Sequence, residues 1–149
     1  MAFKTPVSVL VVIYTPDLQV LLLERADHPG YWQSVTGSCD PGESLRQTAQ
    51  REVAEETALD AATLGLADWK MHNVFEIYAE WRHRYAPGVT HNTEHIFGLE
   101  VPQPVAVRLA PREHLDYVWL PWQEAARKVF SWTNVAAIEK LPEMTGHPA

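Results

Sequence analysis

A chain of 149 residues in which 46% are hydrophobic has enough apolar material for one compact domain over residues 1–149, which excludes an intrinsically disordered protein. Its formal net charge of −7, from 19 acidic and 12 basic side chains, speaks against nucleic acid as a partner, because nonspecific binding to phosphate backbones needs a basic surface. The one cysteine, Cys39, excludes an intrachain disulfide and a thiolate metal cluster.

The N-terminal Met1-Ala2-Phe3-Lys4-Thr5-Pro6 lacks the pattern of a signal peptide, so a cytoplasmic protein is expected. Val7 to Tyr14 is β-branched and nearly all apolar, and reads as a strand buried on both faces. Its apolar run from Val9 is far too short to span a bilayer, so no membrane partner is expected. Thr15-Pro16-Asp17 is turn chemistry, and Val20 to Arg25 reads as a second strand hairpin-paired with the first. Trp32 to Thr36 is a short extended segment, and Gly37 to Gly42 reads as a loop. Leu45, Ala49 and Val53 recur every four residues as the apolar stripe of a helix, which ends within Thr57–Thr63 without a glycine cap. Leu66 to Leu99 favours strands, broken at Tyr85-Ala86-Pro87-Gly88, and Tyr117 to Leu120 is another. Trp122, Ala125, Ala126 and Val129 have helical spacing. Val135, Ile138 and Leu141 continue or repeat it until Pro142 stops the helix, and Glu143 to Ala149 reads as a loose tail. This order of elements predicts an α/β or α+β fold with a mixed sheet.

Within the first helix, Glu52 and Glu56 are one turn apart and Glu55 lies beside them. Like charges at this spacing repel, and the C-terminal end of a helix disfavours negative charge. A hard divalent cation bound by clustered oxygens would remove both penalties. A solvated acidic face is the plainer alternative, and Arg51 fits either because it reaches Glu55 at i, i+4. The helix alone does not choose between them.

The flanks do. Gly37, Glu43, Arg51, Glu52, Val53, Glu55, Glu56 and Leu59 follow the spacing G-x5-E-x7-R-E-U-x-E-E-x-G-U, in which U is a bulky aliphatic residue. Residues 37–59 therefore resemble the Nudix box, with Ala58 where the family usually has glycine. The resemblance implies a Nudix fold, an α/β/α sandwich around a mixed sheet with the box as a loop–helix–loop. It also implies a phosphoanhydride hydrolase that uses Mg²⁺, for which Mn²⁺ can substitute. By resemblance Glu52 and Glu56 are the main metal ligands, and Glu55 is a further ligand or support. Glu43 and Arg51 form a bracing salt bridge, and Gly37 allows close backbone approach to phosphates or metal.

Beyond the box, Pro6–Tyr14, Trp32–Ser38, Arg82–Thr90 and Asn92-Thr93-Glu94 are similar to the branch of the family that hydrolyses dihydroneopterin triphosphate to the monophosphate and pyrophosphate in folate biosynthesis. This similarity implies substrate contacts from Lys4, Arg25, Thr36 and Ser131, and a pocket lined by Phe75, Glu76, Ile77 and Tyr78. It also implies a third metal carboxylate, Glu113. Water attack without a covalent intermediate follows, with Glu113 and Glu55 as candidates to take the proton. The plainer readings are that most of Trp69, Trp81, Trp119, Trp122 and Trp132 are core residues and that Arg82-His83-Arg84 is an exposed strand face. On the same view His91 and His95 are solvated, Ser131 caps a helix, and Glu113 is a loop charge beside Arg112. A broader (d)NTP pyrophosphohydrolase acting on dATP or a similar nucleotide is the nearest rival, and a non-catalytic nucleotide-binding module is the rival from another class. The expected partner is a small triphosphate, and the expected state a monomer or weak homo-oligomer.

Overall fold

The structure, a computed structural model, describes residues 3–147. A mixed sheet runs through its centre, with strands β1 (Val7–Tyr14), β2 (Gln19–Arg25), β3 (Trp32–Gln33), β4 (Val35–Ser38), β5 (Leu66–Glu76), β6 (His91–Glu100) and β7 (His114–Pro121). The main order is β3-β2-β1-β6-β5, with β4 paired to β1 and β7 to β2. β1 is the central strand. Val9, Val11 and Ile13 point to one apolar layer, and Leu10, Val12 and Tyr14 to the other. Burial on both faces explains its unbroken apolar run.

Helices α1 (Leu45–Thr57) and α2 (Ala61–Leu64) supply Ala49, Val53 and Ala61 to the first layer. The second layer takes Ala125 from α3 (Trp122–Lys128), Ala137 and Ile138 from α4 (Trp132–Glu139), and Leu141 from α5 (Leu141–Met144). Helices thus cover both faces of the sheet, giving the α/β/α sandwich. Each fully buried Leu, Ile or Val stabilises by about 1.5–3 kcal/mol.

Several local expectations need correction. The β1–β2 hairpin is paired only at Tyr14–Val20, because β4 occupies the same edge of β1 from Ser8 to Val11 while β2 continues against β3 and β7. Gly37 and Ser38 are strand residues opposite Val9 and Ser8, and not loop. The break in the strand region is wider than Tyr85–Gly88, because Ala79–Arg84 is a 3-10 helix, so Arg82-His83-Arg84 is not a strand face. Pro142 does not stop a helix: it lies in the first turn of α5, where a missing N–H costs nothing. The tail from Glu143 is therefore helical to Met144, and the His147 N–H donates to the Pro142 carbonyl at 2.8 Å. Residues 148–149, and Met1 and Ala2 at the other end, lie outside the described residues.

The ends of α1 are settled locally. Ser44 and Gln47 form a capping box at its start, with hydrogen bonds of 3.1 and 2.9 Å. Ala58 ends it in the left-handed conformation, φ 66°, the role a glycine usually fills.

Candidate active site

The side chains expected from the box meet at the sheet edge where β4 faces α1. Gly37 faces α1 because its neighbours on β4 alternate, and the Glu52 side chain occupies the space that a Cβ on Gly37 would need. Arg51 braces this junction. Its Nε and Nη2 donate to the two Glu43 oxygens at 2.7 and 2.9 Å, its Nη1 to Glu52 Oε1 at 2.7 Å, and its Nη2 also to the Ser38 carbonyl at 3.0 Å. Hydrogen bonds from Arg51 above all hold the Glu43 carboxyl down at about 2. Glu55 is half exposed and leans on Arg51 at 3.3 Å from outside.

Glu56 stands in a different environment. It is 1% exposed, and neither carboxylate oxygen has a hydrogen-bond partner. Burial first, then the adjacent Glu52 and the charge of Glu113, push its pKa well above the usual carboxylate range. Burial also raises Glu52, against the pull of Arg51. Among the described residues, the cation-forming group paired with Glu56 is His114, whose Nε2 lies 3.5 Å from Glu56 Oε1. Burial, helped by Arg25, lowers the His114 pKa to about 4, so this contact is not an ion pair near neutral pH. An uncompensated buried carboxylate is costly, and a divalent cation is the partner its chemistry fits. Among the described residues no three His, Cys, Asp or Glu side chains are gathered into a ready-made cage. Glu52 and Glu56 form a pair, and Glu113 lines the same cavity.

That cavity has a volume of about 580 Å³, the size of a small-molecule site. Lys4, Arg25, Thr36, Phe75, Ile77, Tyr78 and Ser131 all line it. Glu76 does not: strand alternation turns it outward, where it pairs with Arg82 at 2.9 Å. The protein shell around the Lys4 ammonium, then Arg84 and Arg25, lower its pKa, while Glu52 and Glu113 oppose them, although the residue as a whole is exposed. The cations are therefore next to the carboxylates. Arg25 is not free, because Asp27 binds it through both oxygens at 2.7 Å and also takes Arg84 at 3.1 Å. Ser131 both lines the cavity and caps α4, accepting from the Asn134 backbone N–H at 3.3 Å and also from its side-chain amide at 2.8 Å.

Of the aromatic wall the sequence pointed to Tyr78 and not to its partners Trp81 and Phe130, and it did not point to a polar floor. Arg25 lies over the Trp81 ring at 4.3 Å, Trp81 stacks on Tyr78 at 5.3 Å, and Phe130 meets both edge-on. Trp132 also lines the cavity, so Trp81 and Trp132 belong to the site, whereas Trp69, buried in the core, and Trp119 and Trp122, packed against it, are the core majority expected of the five. On the floor are Asn92, Glu94 and Asn134, all at most 4% exposed. Only the similarity of Asn92-Thr93-Glu94 hinted at these. His95 lies on β6 with its ring 5.4 Å from His72, away from this cavity's lining, and His91 pairs with Thr90 at 2.8 Å.

Comparison with known proteins agrees with this geometry. The family model for the NUDIX domain matches residues 4–141. The chain is 49% identical to the dihydroneopterin triphosphate diphosphatase of Escherichia coli (strain K12), over 93% of each chain. It is 42% identical to the enzyme of that name from Haemophilus influenzae, over 94% of this chain and 89% of the relative. The solved structure of the E. coli dihydroneopterin triphosphate pyrophosphohydrolase superposes with a TM-score of 0.88 at 48% identity, covering 94% of this chain and 97% of that one. A hydrolase from Listeria monocytogenes at 22% identity and a TM-score of 0.80 shares the fold. A whole-chain family match, a sandwich of the expected layers and a box whose Glu52 and Glu56 carboxylates line one cavity together place this chain in the Nudix hydrolase family.

Proposed function

We propose that this chain is a single-domain, Mg²⁺-dependent pyrophosphohydrolase that converts dihydroneopterin triphosphate to dihydroneopterin monophosphate and pyrophosphate, a step of folate biosynthesis in the cytoplasm. The observation that carries the reading is one cavity holding both a buried, unpartnered Glu56 carboxylate and a wall of Tyr78, Trp81 and Phe130. The names of the relatives supply the substrate that fits both ends, a triphosphate on a flat heterocycle. Among the described residues no helix is long and apolar enough to cross a membrane.

Glu52 and Glu56 would hold the cation, with Glu113 added from the segment before β7. When bound, Mg²⁺ neutralises the phosphate chain and activates the attacking water. Lys4 and Arg25 orient the phosphate oxygens, and Arg25 exchanges part of its pairing with Asp27 to do so. Tyr78, Trp81 and Phe130 stack on the heterocycle and exclude water. Water forms a new P–O bond as the anhydride bond between the α- and β-phosphates breaks, and pyrophosphate leaves. A carboxylate takes the water's proton. Glu113 is favoured over Glu55 for this, because Glu113 lines the cavity and Glu55 is engaged outside it by Arg51.

The test is incubation with Mg²⁺ and equimolar dihydroneopterin triphosphate and dATP, with products identified by mass. Preferential release of dihydroneopterin monophosphate supports the reading. Preferential cleavage of dATP keeps the chemistry and overturns the substrate.

A further inference from the structure

Beneath the aromatic wall, β6 carries two buried polar side chains, each with an acceptor oxygen that neither the fold nor the metal chemistry uses. Asn92 and Glu94 are two residues apart on a strand, so both face the α3–α4 side, in line with Ser8 of β1. They are 2% and 4% exposed, and both line the cavity. Asn92 Nδ2 donates to Ser8 Oγ at 2.7 Å, but its Oδ1 has no partner. Glu94 lies beside Thr133 at the start of α4, and its Oε1 has no partner either. Burial raises the Glu94 pKa to about 7. A folded chain seldom leaves two buried acceptors side by side without donors, and the cavity is the direction from which donors can come.

We propose that Glu94, with Asn92 beside it, recognises the edge of a heterocycle that presents an exocyclic amino group next to a ring N–H. A pterin and a guanine both carry this edge. Adenine does not: its amino group neighbours a bare ring nitrogen, whose lone pair opposes a carboxylate. A lumazine, with oxygen in place of the 2-amino group, likewise turns an acceptor toward Glu94. Selectivity built on buried acceptors is strong because the wrong ligand leaves them unpaired. The inference rests on the reading of the cavity as a substrate pocket and adds the groups that choose the base.

Inhibition of turnover by a free pterin and by the matching lumazine tests it, in the wild type and in Glu94→Gln. The wild type is expected to bind the pterin at least about tenfold more tightly than the lumazine. Glu94→Gln should bring that ratio near one and raise KM for dihydroneopterin triphosphate about 10- to 100-fold, with kcat changed much less. Equal inhibition of the wild type by the two heterocycles, or an unchanged ratio in the variant, overturns the proposal. The wild-type arm does not depend on the variant folding. The ratio can be read against whichever triphosphate the enzyme cleaves, so failure of the dihydroneopterin triphosphate reading gives a separate result.

Discussion

The Glu52 side chain fills the space that a Cβ on Gly37 would occupy. The strand that approaches α1 and the helix that carries the carboxylates are therefore fitted to each other at one missing methyl group. Gly37→Ala should leave the fold intact, since β4 backbone of this kind accepts alanine, but drive Glu52 from its position beside Arg51. A displacement of about 1 Å in a catalytic group costs on the order of 100-fold in rate. The expected result is a loss of that size in kcat at an unchanged far-ultraviolet circular dichroism spectrum. Full activity in this variant would show that Glu52 tolerates displacement and has no positional role.

Glu56 is buried and unpartnered, with a raised pKa. Glu56→Gln keeps its shape and removes the charge. The metal-free variant should melt at a higher temperature than the metal-free wild type at pH 8, where the wild-type carboxylate is most costly. Added Mg²⁺ should raise the melting temperature of the wild type only, by the equivalent of about 3 kcal/mol at 100 times Kd. Turnover should fall at least about 100-fold. Calorimetry with and without Mg²⁺ checks the first two outcomes and a pyrophosphate-release assay the third.

Ala58 adopts φ 66° at the end of α1. The left-handed conformation costs an L-residue about 1–2 kcal/mol, part of which glycine returns as unfolded-chain entropy. Ala58→Gly should therefore stabilise by about 0.5–1 kcal/mol with activity unchanged. The midpoint of urea unfolding measures this, and a lower midpoint would contradict it.

Glu94 has its pKa raised to about 7 by burial, against an ordinary value of 4.5. The folded state then holds the proton more tightly than the unfolded state between these values. Stability should fall as pH rises from about 4.5 to 7 and level off above. Glu94→Gln should remove this component. Its stability advantage over wild type should be small at pH 5 and approach about 3 kcal/mol at pH 8, at the expense of substrate binding. Denaturant unfolding at the two pH values checks the sign, and an advantage that shrinks with rising pH would refute the assignment.

The chain by itself determined the core strand, the first helix and the acidic box, because each is written in neighbouring residues. Val7 to Tyr14 announces a doubly buried strand by its lack of polar positions, and Glu52, Glu55 and Glu56, ambiguous on the helix alone, become a site by their fixed spacing from Gly37, Glu43 and Arg51. The Ala58 departure was also visible in sequence, though not that alanine itself takes the left-handed turn. Tertiary structure decided the rest. Phe130 reaches Tyr78 and Trp81 across some fifty residues of chain, and no local periodicity records such a contact. Glu76 and Glu94 look alike as letters, yet pleating sends one to Arg82 at the surface and the other beneath α4. What separates a solvated glutamate from a recognition group is the burial imposed by a distant helix, and only the assembled fold sets that burial.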